Sequence, residues 1–137
     1  MKHFSLIIMM AFAFCLTSVP TNGQTFSKMP EKQRNAALIK TARAFYKHTK
    51  FKTYYKKYGD HGTPAIKEYT MKDYPQYLKV KNDISDIKGK QYIVSFWTKN
   101  KRYPAASVYV SDKLGKAWQI NFPDNTVVTI WDKYMKE

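Results

Sequence analysis

The sequence predicts an α+β domain in which an N-terminal helix, or a pair of helices, packs on a curved antiparallel sheet of four to five strands. Two observations predict this class. Apolar residues recur at helical spacing up to Tyr58, and from Thr63 onward they alternate with a period of two. Short runs of turn formers separate the alternating segments, which favours a meander of neighbouring strands. The apolar face of such a sheet needs a cover, and the stripe of the first helix can supply it.

Residues 1–23 are interpreted as a secretory signal peptide that is cleaved before Gln24. A short positive start precedes an almost wholly apolar run, residues 4–16. This run is too short to span a membrane, which takes about 20 apolar residues. The small residues Thr21 and Gly23 stand at the −3 and −1 positions of the expected cut.

The remaining residues, 24–137, are expected to form a single basic domain that is periplasmic or secreted. Cys15 follows the bulky Phe14, whereas a lipoprotein signal has small residues there, so we do not expect lipid attachment. The processed domain then holds no cysteine, which excludes disulfides, thiol catalysis, cysteine-based zinc sites and iron–sulfur clusters. We also expect no transmembrane helix after signal cleavage.

The first helix is expected to start between Ser27 and Pro30, with Ser27 capping the free N–H groups and Pro30 in the first turn. Its buried stripe is predicted to be Leu38, Ala42 and Phe45, with Ile39 and Tyr46 beside it.

A second helical stripe follows and points to roughly the opposite side, so one straight helix would have to bury both sides. We therefore predict a break near His48 to Lys50, and an end to the second helix at Gly59. The second stripe consists of Phe51, Tyr54, Tyr55 and Tyr58.

Ala65 to Tyr74 is predicted to be a first strand ended by Pro75, and Tyr77 to Lys81 either a short strand or part of a loop. Four clearer alternating segments follow: 92–97, 106–111, 117–122 and an additional strand from Thr126 to Tyr134. The core face of the sheet is expected to carry Val94, Phe96, Val108, Val110, Trp118, Ile120 and Phe122.

The formal net charge of the chain is +14, and the excess is concentrated in residues 24–57, where ten Lys and Arg face Glu31 alone. Such a charge bears on partners rather than on fold. Outside the cytoplasm it favours an anionic macromolecule or surface, namely an acidic protein, a polysaccharide or a lipid; nucleic acid is not expected after export.

Lysines interleave with aromatic residues in the second helix, which suits anionic or amphipathic ligands. The cations of the turn before Pro104 would extend this surface if that turn folds toward the helix. The competing interpretation is a solvated helix face whose aromatics pack on the sheet, with a turn that only protects a sheet edge. The candidate residues for binding an anion or partner are Arg43, Lys47, Lys50, Lys52, Tyr54, Tyr55, Lys56, Lys57, Lys99, Lys101 and Arg102.

No motif predicts catalysis, a metal or a cofactor. His48 and His61 are far apart and lack metal-ligand spacing, and no nucleophile has a recognisable context. The segment from Gly59 to Gly62 is interpreted as a turn rather than as a base with an orienting carboxylate.

The order of elements, and the segment from Gly115 to Ile120 (GKAWQI), resemble NTF2-like domains; the element order is also similar to cystatin-like domains. The segment from Gln91 to Ser95 lacks the glycine of the cystatin inhibitory loop. The resemblance implies a small helix-and-sheet fold that hosts binding proteins, inhibitors and some enzymes, so it constrains function little.

Three hypotheses follow. The first is a non-enzymatic binding domain whose basic helical face holds an anionic partner in a salt-sensitive manner. The second is an inhibitor or immunity-type protein that binds one acidic protein through a few aromatic or arginine anchors. The third is an NTF2-like small-ligand pocket or enzyme, which needs a cavity between helix and sheet.

Overall fold

The computed structural model describes residues 26–72 and 87–136, and in this part of the chain it confirms the predicted α+β class. The predicted signal peptide, residues 1–23, and the segment from Tyr77 to Lys81 lie outside the described residues. The elements are α1 (Glu31–Tyr46), a 3₁₀ turn (Thr49–Phe51), α2 (Lys52–Tyr58), β1 (His61–Met71), β2 (Gly89–Trp97), β3 (Pro104–Ser111), β4 (Lys116–Asn121), β5 (Val127–Thr129) and α3 (Lys133–Lys136).

Helix α1 covers one face of the sheet and contacts β2, β3 and β4. Its fully buried side chains are Leu38, Ala42 and Tyr46, which recur every four residues; Phe45 is only partly buried. The expected Ser27 cap is wrong. Pro30 takes the N-cap position and no side chain caps the helix.

The predicted break between the two helices is confirmed. The His48 side chain accepts the backbone N–H of Lys50 at 3.1 Å, which starts a single 3₁₀ turn that buries Phe51. The predicted end of the second helix is also confirmed. Gly59 closes α2 with φ 81° and ψ −168°, a backbone region that is used almost only by glycine.

The five strands form an antiparallel sheet in the order β1-β2-β3-β4-β5, which is the predicted meander. Strand β1 begins at His61, earlier than expected, and its pairing with β2 is irregular between His61 and Ala65. The segment from Gly59 to Gly62 is therefore not a simple turn. The fifth strand is shorter than predicted, because it ends at Thr129 and the chain then turns into α3.

Trp118 does not lie on the core face where the alternation predicted it. The register shifts between Tyr109, opposite Gln119, and Val110, opposite Ala117, so that Trp118 becomes the extra residue of a β-bulge. Ala117 takes the core position. The indole packs in a second cluster with Met71 and Ile87, and its N–H donates to Gln91 Oε1 at 2.9 Å.

The start of the described chain is held by a buried carboxylate. Asp112 Oδ1 accepts the backbone N–H groups of Phe26 and Ser27, each at 2.9 Å, and Oδ2 accepts the Ser27 hydroxyl at 2.7 Å. Asp112 directly follows β3, whose eight residues extend roughly 27 Å at about 3.4 Å per residue. Phe26 is thus attached at the end of the sheet remote from the turn between β2 and β3. No helix among the described residues is long and apolar enough to cross a membrane.

Candidate functional site

A cleft of about 600 Å³ opens where the end of α2 meets the turn between β2 and β3. We call it the lysine cleft, because three lysines from these two elements line it and none of its described lining residues is acidic. Its lining is Lys56, Lys57, Tyr58, Gly59, His61, Thr98, Lys99, Asn100 and Tyr103.

Helix α2 supplies one wall of the lysine cleft. Lys56 and Lys57 lie in its last turn, where the negative end of the helix dipole favours cations. Both side chains are exposed, and Lys57 Nζ lies 5.3 Å from the centre of the Tyr58 ring. Gly59 then turns the chain so that the His61 imidazole lies against it, in the space that a side chain at residue 59 would occupy.

The turn between β2 and β3 supplies the facing wall, and its own hydrogen bonds shape it. The N–H of Lys101 donates to the carbonyl of Thr98 at 3.0 Å. Asn100 Oδ1 accepts the Arg102 N–H at 3.2 Å and lies 3.0 Å from the Thr98 hydroxyl. This local network places Lys99 in the cleft.

The turn also reaches β1. The end of the Lys101 side chain lies over Gly62, where an added Cβ would be 3.0 Å from Lys101 Nζ. Of the cations of the turn, Lys99 therefore shares the cleft with Lys56 and Lys57, and Lys101 adjoins Gly62 of β1. Among the described residues no carboxylate lies within ion-pair distance of Lys56, Lys57 or Lys99.

A second cleft, of about 500 Å³, adjoins the first, and we call it the neutral cleft. The two share Tyr58 and Tyr103, and Tyr103 is 45% exposed. No charged side chain is among the described residues that line the neutral cleft. Its other lining residues are Pro104, Ser107, Asn121, Phe122, Pro123 and Asn125.

Arg43, one of the predicted binding residues, is engaged elsewhere. Its Nε donates to Asp60 Oδ2 at 2.7 Å, and its guanidinium carbon lies 5.4 Å from the centre of the Phe96 ring. The hydrogen bond to Asp60 is the main cause that raises the pKa of Arg43, and partial desolvation opposes it.

Tyr54 and Tyr55 pack inward, as the competing interpretation expects. Tyr54 stacks on Phe122 with ring centres 3.9 Å apart, and its hydroxyl donates to Asp124 Oδ2 at 2.9 Å. The Tyr55 ring lies 4.7 Å from that of Tyr46, and Lys47 Nζ lies 5.6 Å from the centre of the Tyr55 ring. Burial raises the pKa of Tyr55, and the nearby carboxylate of Asp60 adds to this.

The structure therefore brings together only part of the predicted set. Lys56, Lys57 and Lys99 share one cleft and Lys101 adjoins it. Arg102 lies on the same turn but does not line the cleft. The remaining candidates on the helical side, Lys47, Lys50 and Lys52, do not line it either.

Sequence reasoning did not select Tyr58, His61, Thr98 or Asn100 as site residues, and it placed Tyr103 on the candidate turn without counting it among the binding residues. Tyr103 carried a usable signal, because an aromatic residue in a basic turn directly before Pro104 has no strand face on which to be buried. The other four are recognisable only once the end of α2 and the turn between β2 and β3 are known to meet.

No protein-family model matches this chain, and no curated protein or solved structure matches it either. The resemblance to NTF2-like and cystatin-like domains accordingly stays a prediction from the order of elements and the GKAWQI segment.

Proposed function

We propose that this protein is an exported, non-enzymatic binding domain that holds an anionic partner in the lysine cleft. One observation carries the proposal. Lys56 and Lys57 come from the end of a helix and Lys99 from a turn some forty residues later, yet all three line one cleft, and no carboxylate among the described residues is paired with them.

Electrostatics favours an anion at this position. Like charges gathered on one surface repel each other and weaken the folded state, so a bound anion would relieve that repulsion. Because the three lysines are exposed, each charge–charge contact contributes little alone, and binding depends on several of them acting together. The lysines of the cleft are therefore suited to a ligand that carries more than one negative group.

The cleft is a better place for a ligand than the space between helix and sheet. Leu38, Tyr46 and Phe96 are fully buried there, and the rings of Tyr46 and Phe96 lie 5.4 Å apart. Side chains occupy this part of the interior. This packing favours a ligand in the lysine cleft over the third hypothesis, a small-ligand pocket under the helix.

The experiment compares two triple variants that change the net charge equally. K56Q/K57Q/K99Q removes the cations of the lysine cleft, whereas K113Q/K116Q/K133Q removes three exposed lysines that line neither cleft. Binding is measured at several salt concentrations to a galacturonate oligomer, to polyglutamate and to phosphatidylglycerol vesicles.

We expect at least one probe to bind, and the cleft variant to bind it roughly ten- to a hundredfold more weakly, if each charge contributes about 0.5–1 kcal/mol. Affinity should also fall as salt rises. The control variant should bind nearly as the unmodified protein does. Equal losses in the two variants, or binding that is indifferent to salt, would show that the cleft has no such role.

A further inference from the structure

We propose that the lysine cleft and the neutral cleft together form one groove for an acidic oligosaccharide, such as a uronate or a sulfated sugar chain. This inference rests on the proposed function and names the class of ligand. The groove is divided by Tyr58 and Tyr103, which line both of its halves.

The two halves differ in chemistry in the way that an acidic sugar chain requires. Lysines in the first half suit carboxylate or sulfate groups. Ser107, Asn121 and Asn125 in the second half offer hydroxyl and amide groups, each of which both donates and accepts, as sugar hydroxyls do. A polyanion without hydroxyl groups, such as polyglutamate, would gain little from this neutral half.

The groups of the neutral half are held in place by neighbours. Asn121 Oδ1 accepts from Gln119 Nε2 at 3.0 Å, and Ser107 Oγ lies 3.2 Å from Ser95 Oγ. Asn121 Nδ2 also donates to the Tyr109 hydroxyl at 3.4 Å, which leaves one N–H and one oxygen lone pair of the amide for a ligand. Such partners fix the orientation of binding groups before the ligand arrives, which lowers the entropy lost on binding.

The two tyrosines suit the apolar faces of sugar rings. The face of an aromatic ring is electron-rich and attracts the weakly positive C–H groups that a sugar ring presents on one side. Tyr103 is 45% exposed, so a large part of this aromatic residue is accessible to a ligand. Its position between the two halves would place a sugar ring over it while neighbouring units reach the lysines and the amides.

Lipid surfaces and proteins fit the groove less well. Among the described residues only Tyr103 and Val127 are large exposed hydrophobic side chains, so no apolar patch is available to enter a membrane. A stable protein partner buries about 800 Å² on each side, usually around aromatic or arginine anchors in well-packed pockets. A concave groove of this volume, lined by lysines in one half and by neutral polar groups in the other, suits an extended oligosaccharide better than a protein surface.

The test is calorimetric titration of the purified protein with six probes: tetragalacturonate, a heparin-derived sulfated tetrasaccharide, neutral galactotetraose, tetraglutamate, polyglutamate, and vesicles of phosphatidylcholine and phosphatidylglycerol in equal parts. We expect one of the acidic tetrasaccharides to bind best, and neutral galactotetraose at least about tenfold more weakly. Y103L, which keeps apolar bulk but removes the ring, should weaken that binding about fivefold, while Y103F should leave it unchanged.

The outcomes separate the two proposals. If tetraglutamate, polyglutamate or the vesicles bind as tightly as the acidic sugars, and K56Q/K57Q/K99Q abolishes this, the anionic site stands and the sugar assignment is overturned. The sugar assignment is also overturned if Y103L binds an acidic tetrasaccharide as tightly as the unmodified protein does. If none of the anionic probes binds, both proposals are overturned. Because Tyr103 is exposed, Y103L is expected to fold, and thermal unfolding checks this.

Discussion

The guanidinium of Arg43 holds the carboxylate of Asp60, with Nε 2.7 Å from Oδ2, across the junction between α1 and β1. Asp60 lies between Gly59 and His61, which both line the lysine cleft. Its negative charge would otherwise compete with an anionic ligand for the lysines. Arg43 does not line the cleft, but we expect its pairing with Asp60 to offset a negative charge beside the cleft.

Because Arg43 pairs with Asp60, we predict that substituting Arg43 changes binding in the lysine cleft, although Arg43 does not line it. R43Q leaves the Asp60 carboxylate without its cation. Repulsion between this carboxylate and the best acidic probe should weaken binding of the probe roughly three- to tenfold. R43Q/D60N should recover the affinity, because the competing charge is gone. Calorimetric titration of the single and double variants measures both changes. Equal affinity of R43Q and the unmodified protein would remove this role from the ion pair.

Gly59 is predicted to be required at its position for two separate reasons. Its backbone, with φ 81° and ψ −168°, disfavours any side chain, and an added Cβ would lie 2.6 Å from His61 Nε2. G59A should lower the free energy of unfolding by about 2 kcal/mol and displace His61. Chemical denaturation measures the first effect, and the NMR shift of the His61 ring protons measures the second.

Gly89 provides the matched control for Gly59. It has φ 100°, but no heavy atom lies within 4 Å of the Cβ that a substitution would add. G89A should therefore carry backbone strain without moving His61. If G59A left the His61 signals where they are, the proposed contact between residues 59 and 61 would be contradicted.

The carboxylate of Asp112 is predicted to hold the start of the domain. D112A leaves two backbone N–H groups and one hydroxyl without their acceptor, and should lower the free energy of unfolding by about 3 kcal/mol. S27A removes only the hydroxyl contact and should lower it by about 1 kcal/mol. Hydrogen exchange gives a direct measurement: the amides of Phe26 and Ser27 should be protected in S27A and lose protection in D112A. Persistent protection in D112A would contradict the assignment.

Tyr92 is predicted to make folding sensitive to alkaline pH. Burial, with a smaller contribution from Asp112, raises its pKa from about 10 to about 12 in the folded state. The folded state therefore holds the proton more tightly than the unfolded chain does. The stability that this contributes is complete below about pH 10 and is lost as the pH rises toward 12.

The control is Y92F, which has no proton to lose. The Tyr92 hydroxyl is buried without a hydrogen-bond partner in the described structure, so Y92F should be as stable at neutral pH as the unmodified protein, or slightly more so. Thermal unfolding between pH 8 and pH 11 should show a smaller alkaline loss in Y92F. Parallel curves for the two proteins would contradict the prediction.

Much of the fold could be predicted because local patterns and local structure agree. The period of two marked the last four strands, and the opposed stripes of Leu38 and Phe51 indicated a break between the helices. Gly59 marked a helix end because few other residues adopt its backbone conformation. The bulge at Trp118 could not be predicted, since a register shift depends on the partner strand and leaves no mark in the alternation.

Only part of the candidate site could be predicted from the sequence, because its two walls meet through a long-range contact. The density of positive charge identified Lys56, Lys57 and Lys99 as candidate binding residues, but it selected Arg43 on the same ground. Only the fold shows that Arg43 pairs with Asp60. The meeting of the end of α2 with the turn between β2 and β3 is a long-range contact. Tyr58 and Tyr103 become neighbours through that contact, and their spacing in the sequence does not indicate it.

The attachment at Asp112 fixes where the start of the described chain lies relative to the groove. Because Phe26 is tied to one end of β3 and the lysine cleft opens at the other, a fusion partner or an immobilising tag placed before Phe26 would sit on the side away from the groove. A sensor chip loaded through such a tag would present the groove to the flowing solution.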